Sequence, residues 1–193
     1  ASSRVLKGFN DTLSVQALDC ARELYEITEV NQRSRSAKIQ AATELYLTTG
    51  EEKYKNYLLS EKDFIVNNIE NVGWFIARAE KQINQPDFSK VIRQALVEFH
   101  TLIDKQSAET PYGIPYRPYI WGAGWDIQSL GFRLYFLHTA YPDIFGKDYI
   151  YDALNFVLGC HPGENTSSFA SGVGTRSTTV AYGFNRADWT YIP

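Results

Sequence analysis

The chain has 193 residues, 44% of them hydrophobic, and a formal net charge of −3 with a pI near 5.6. A monomer of this mass buries ~70% of its unfolded surface, enough for a core without disulfide or metal staples, so the length reads as a single domain over residues 1–193. Lys and Arg are scattered, without the concentrated basic face that nucleic acid requires, and no apolar run approaches the ~20 residues that span a bilayer, so nucleic-acid and membrane partners are set aside.

The first residues, ASSRVLKGFNDT, lack the basic head, apolar stretch and cleavage site of a signal peptide. The expectation is a cytoplasmic protein, or a mature or internal piece. Val15, Leu18, Ala21, Tyr25 and Thr28 recur at spacings of three and four and predict a helix over 14–30 with that stripe inward. A second helix is predicted over 37–49, with Ile39, Ala42, Leu45 and Tyr46 inward and Gly50 as terminator. A third covers 51–59. Ser60 followed by Asp63 reads as the capped start of a fourth, whose pattern runs through Phe64 and Ile65 toward Asn71. Gly73 and Trp74 are expected to interrupt it, with helix resuming over 75–82.

The Gln85-Pro86-Asp87 turn leads to the clearest helix, on which Val91, Ile92, Ala95, Leu96, Phe99, Leu102 and Ile103 form a broad apolar face. Three prolines and three glycines in ETPYGIPYRPYIWGAG predict an extended loop over 109–124, because proline removes a donor and restricts its predecessor. Helices follow over 125–139 and 149–158, separated by Tyr141-Pro142. Beyond them, 169–173 or 178–182 is the place for a short hairpin. The class is all-α, with long loops gathered on one face. A helical protein-interaction repeat is the structural rival, on the spacing of TELYLTTGEEKYKNYL over 43–58, although no fixed period continues it.

Cys20 and Cys160 are too far apart in sequence for a metal or redox motif and read as small buried hydrophobes. His100, His138 and His161 form no HExxH pattern, and no oxygen-rich calcium loop is present, so no metal and no cofactor is expected. The composition is aromatic, with 13 Tyr, 11 Phe and 4 Trp. Clefts for sugars use such rings as walls, since a planar ring meets the apolar face of a pyranose.

The segments YIWGAGWDIQSLGFRLYFLHTA and YPDIFGKDYIYDALNFVLGCHPGENTSSFASGVGT resemble the C-terminal half of glycoside hydrolase family 9, the cellulase family built on an (α/α)6 barrel. A family loop like W-G-S-N corresponds to Trp121-Gly122-Ala123-Gly124, and a motif like LGxNPxxxSFVTGxG corresponds to Leu158-Gly159-Cys160-His161-Pro162 and Ser168-Phe169-Ala170-Ser171-Gly172-Val173-Gly174. The resemblance implies part of an (α/α)6 barrel of the six-hairpin glycosidase type, inverting hydrolysis of β-linked glucans or related oligosaccharides, and a secreted or periplasmic protein. It also implies that the partners are an oligosaccharide or polysaccharide and the remainder of a parent polypeptide.

The family's His-His-Arg continuation is replaced by STTVAYGFNRADWTYIP, without a His after His161. Substrate-binding candidates are therefore Trp121, Trp125, Arg176, Tyr182, Asn185 and Arg186. Trp121 and Trp125 stack on sugar or plug a barrel end. Asp126 bonds a sugar hydroxyl or caps its helix. Tyr182 and Trp189 divide between platform and packing, and Arg176 and Arg186 between sugar contact and solvent. His161 is expected to fix the loop, Glu164 is the one carboxylate within it, and Gly172 and Gly174 are expected to permit a tight turn or close backbone approach.

Inversion requires two carboxyls roughly 6.5 to 9.5 Å apart. The family's Asp pair lies in a D-A-G-D-like motif that this sequence lacks, and its general-acid Glu lies beyond the signature loop. No catalytic residue is assigned to this chain. The rival functional class is a carbohydrate-binding or structural helical module that keeps the groove without the carboxylates.

Overall fold

The computed structural model describes residues 1–31, 33–110, 112–116, 122–160, 168–170, 172–174, 176 and 177. Every regular element among them is helical, and no strand occurs among the described residues. The helices are α1 (Ser2–Leu6), α2 (Asp11–Ile27), α3 (Arg35–Thr49), α4 (Glu52–Ser60), α5 (Lys62–Asn67), α6 (Ile69–Ile83), α7 (Pro86–Ala108), α8 (Ala123–Ala140) and α9 (Asp148–Val157). The backbone divides into two compact units, Ala1–Phe99 and His100–Pro193, and the division falls within α7.

In the first unit α3 is the central element, packing against α2, α4 and α6. Its Ile39, Ala42, Thr43, Leu45 and Tyr46 are buried, and Gly50 ends it in the left-handed region at φ 69°. Tyr54 and Leu58 of α4, Ile65 of α5, and Val72, Ile76, Ala79 and Ile83 of α6 complete an interior from which water is excluded. Such burial is worth roughly 1.5–3 kcal/mol per large side chain. Tyr25 of α2 meets Tyr54 and Tyr57 edge-on, at centroid distances of 5.1 and 6.0 Å. Glu44 on α3 accepts hydrogen bonds from Arg4 of α1 and Arg78 of α6, so one carboxylate joins three helices.

Several predicted features shift. Helix α2 begins three residues early because the Asn10 side chain accepts the Leu13 amide at 3.0 Å, an N-cap that apolar spacing does not report. Its inward line passes through Ser14, whose hydroxyl donates to the Ser3 carbonyl of the unanticipated α1 at 2.7 Å. Val15, expected inside, is 58% exposed.

Ser60 does not cap α5; it is the last residue of α4, and its hydroxyl donates back to the Tyr57 carbonyl at 2.8 Å. The break that follows falls at Asn68, and α6 runs unbroken through Gly73 and Trp74. Gly73 is there for packing: a Cβ would lie 3.1 Å from the Ile69 side chain and 3.3 Å from that of Leu96. Both cysteines are exposed, against expectation. Cys20 lies on the outward side of α2, and Cys160 in the turn that ends α9.

The second unit is built on α8 and α9, which pack together through Ile127, Leu130, Leu134, Leu137 and Ala153. Gly131 makes this close: a Cβ there would sit 3.0 Å from that of Ala153. Tyr141 before Pro142 ends α8 with φ −133°, in the range that a following proline enforces. His138 donates through Nδ1 to the Phe145 carbonyl at 2.7 Å and ties that turn to its helix.

Candidate functional site: an aromatic loop end

Helix α9 stops by a paired backbone arrangement. The Gly159 amide donates to the Phe156 carbonyl at 3.1 Å, the Cys160 amide to the Asn155 carbonyl at 2.8 Å, and Gly159 takes φ 87°. This double bond pattern satisfies carbonyls that a helix end leaves free, and it requires a residue tolerant of positive φ. The chain then returns to the same helix end, where the Phe169 amide donates to the Val157 carbonyl at 2.8 Å. Ser168 is buried at 2% exposure; its amide donates to the Arg176 carbonyl at 2.8 Å, and its hydroxyl to the Ala170 carbonyl at 3.0 Å.

Gly174, at φ 85°, passes so near that a Cβ would stand 2.7 Å from the Leu158 carbonyl oxygen. The expected close backbone approach is therefore present there. Among the described residues of 169–173 no hairpin strand occurs: Phe169 and Ala170 lie in a bend and Gly172 in a turn. A buried serine and a glycine pressed on a helix end fold this segment by side-chain and backbone closure instead of by a ladder. The alternative, 178–182, lies outside the described residues.

That closure carries the Phe169 ring to the start of α8. A Cβ on Gly124 would meet Phe169 Cδ1 at 3.0 Å, so the glycine is what admits the ring. Phe169 stacks on Phe156 at a centroid distance of 5.5 Å and an interplanar angle of 14°, and Phe156 meets Tyr112 edge-on at 5.3 Å. Trp125, next in sequence to Gly124, is 77% exposed, and Phe169 and Tyr112 are 54% and 41% exposed. Large aromatic surface held open to water by a packed scaffold is the material of a ligand platform.

A polar pair stands beside it. The Tyr116 hydroxyl donates to Asp126 Oδ2 at 2.9 Å. Asp126 is thus in the first turn of α8, but the N-cap position is Gly122, which has no side chain to cap with. The expectation that Asp126 caps the helix is corrected; its carboxylate retains acceptor positions for a hydroxyl or amide.

Trp125 and Arg176 are the candidate binding residues within the described structure. Ser168 and Phe169 connect them: Ser168 bonds the Arg176 backbone, and the neighbouring ring packs on Gly124. Arg176 itself is exposed. Trp121, Tyr182, Asn185 and Arg186, together with Trp189, His161 and Glu164, lie outside the described residues.

Sequence reading missed Tyr112, Tyr116, Phe156 and Phe169 as a group. The tyrosines' place in the proline-rich loop was the one available signal. It also missed a second polar cluster in this unit, where Asp104 accepts from the Tyr149 hydroxyl at 2.6 Å and lies with its other oxygen 3.2 Å from His100 Nδ1. Burial, then hydrogen bonding to Asp104, pushes the Tyr149 hydroxyl up. Burial, then the nearby Asp148 charge, raises the Asp152 carboxyl above its ordinary range. Among the described residues no group of three or more His, Cys, Asp or Glu is placed to hold a metal ion, and no helix is long and apolar enough to cross a membrane. No protein-family model, curated protein or solved structure matches the chain.

Proposed function

We propose that this chain forms one wall of the saccharide cleft of a glycoside hydrolase that acts on β-linked glucans or related oligosaccharides by inversion, within an (α/α)6 barrel. The observation that carries the reading is the exposed aromatic group of Tyr112, Trp125 and Phe169 beside the Tyr116–Asp126 pair. Rings offer the apolar faces of pyranoses a flat surface, and a carboxylate among them accepts an equatorial hydroxyl. Together these are the two contacts by which proteins select carbohydrate over other small molecules. The resemblance of the motifs over 119–140 and 141–175 to glycoside hydrolase family 9 supports this family and this direction of the chemistry. By the same resemblance the catalytic carboxylates belong to segments outside these motifs, and the protein acts outside the cytoplasm.

Calorimetric titration of the chain with β-1,4-linked gluco-oligosaccharides tests the binding half, and saturable binding is expected. The catalytic half is tested on the longest natural polypeptide containing this chain, by following the anomer first released from soluble glucan with NMR. Inversion supports the reading, and turnover with retention sinks it. Binding by the chain combined with no turnover by that polypeptide favours the non-catalytic carbohydrate-binding module.

A further inference from the structure

The turn that follows α7 leaves a niche beside the Tyr112 ring. Ser107 Oγ donates to the Gly113 carbonyl at 2.6 Å and the Thr110 hydroxyl to the Ile114 carbonyl at 2.9 Å, and the Ile114 side chain is buried. These bonds pin the turn to the end of its helix. Gly113 takes φ 67°, a backbone that L side chains rarely adopt, so the turn does not fill the adjacent space with a side chain of its own. A carbon at the missing Cβ position would meet two described atoms within 4 Å, Asp152 Oδ2 at 3.6 Å and Ser107 Oγ at 3.8 Å. Both are oxygens, and both stand at ordinary contact distance from a carbon.

The two oxygens differ in what they still lack. The Ser107 proton is committed to the Gly113 carbonyl, whereas no hydrogen bond or ion pair reaches the half-buried Asp152 carboxyl among the described residues. Burial works against its charge and no donor compensates, the setting in which an incoming hydroxyl gains most. Asp152 precedes Phe156 by one turn on the same face of α9, and Phe156 meets the Tyr112 ring edge-on at 5.3 Å. The carboxyl therefore stands at the edge of the aromatic platform. A pyranose laid on Tyr112 turns its substituents toward such an edge. A ring hydroxyl would bring oxygen alone, but a hydroxymethyl group brings a carbon first, at the position whose contact distances suit a carbon. Its hydroxyl, one bond further in, then comes within the roughly 2.7 Å of an O–H···O bond to Asp152.

We infer that the niche between Gly113 and Asp152 receives the hydroxymethyl group of a hexose unit, with Asp152 the residue that selects gluco- over xylo-oligosaccharides; this rests on the saccharide reading of the platform. Calorimetric titration of the chain with a β-1,4-linked gluco-oligosaccharide, and with the xylo-oligosaccharide of equal length that lacks the hydroxymethyl groups, is expected to show about tenfold tighter binding of the first. Asp152→Ala should bring the preference to within about twofold by weakening the gluco ligand, with the helical circular dichroism unchanged. Asp152→Asn, equal in shape and poorer as an acceptor, should fall between the two. Trp125→Ala, by contrast, should weaken both ligands. Equal binding of the two oligosaccharides by the wild-type chain overturns the inference and leaves the cleft reading standing. So does a preference that survives in both Asp152 variants. Binding of neither oligosaccharide overturns the inference and the cleft reading together.

Discussion

Gly174 tolerates no side chain, for two separate reasons. Its φ of 85° is in the left-handed region, which costs an L-residue about 1–3 kcal/mol, and a Cβ would collide with the Leu158 carbonyl oxygen. Gly174→Ala is therefore expected to lose about 2 kcal/mol by chemical denaturation and to weaken saccharide binding by opening the Ser168 junction. Trp125 behaves in the opposite way. It is an exposed side chain with little packing to lose, so Trp125→Ala should leave stability within about 0.5 kcal/mol and still reduce oligosaccharide affinity at least tenfold in the same titration. A loss of binding that tracked a loss of stability would remove Trp125 from the platform.

At the level of the element, helix boundaries decide how much of this molecule could be read in advance. Asn10→Ala removes the acceptor of the Leu13 amide and should cost about 1 kcal/mol, with Asn10→Asp retaining most of it, as denaturation midpoints would report. Gly50, Pro86 and Gly159 were legible as helix ends because each residue carries its backbone preference within itself. Gly73 was not, since its purpose is contact with Leu96, which lies more than twenty positions away. Helix α1 has five residues, too few for a period to register. The same division holds at the candidate site. Trp125 stood out as a residue type beside glycines, whereas Tyr112, Phe156 and Phe169 become a group only when α9 ends and the chain folds back on it.

For the whole molecule, Glu44 is one carboxylate through which the first unit responds to acid. Burial opposes its charge, but hydrogen bonds from Arg4 and Arg78 outweigh that and hold the carboxyl below its ordinary value. The folded carboxyl thus binds its proton more weakly than the unfolded one. Its contribution is complete above the unfolded value of about 4.3 and declines as pH falls through the lower folded value. Glu44→Gln should cost about 2 kcal/mol near neutrality and flatten the acid limb of a stability–pH curve. Native-state hydrogen exchange should locate that loss in α3 and α6 of the first unit, leaving the amides of α8 and α9 in the second at their wild-type protection. One exposed indole also gives the molecule an optical handle. Trp125, wet in the free protein, fluoresces in contact with solvent and is open to collisional quenching by iodide, so a sugar ring stacked upon it would be seen as a blue shift and a loss of quenching.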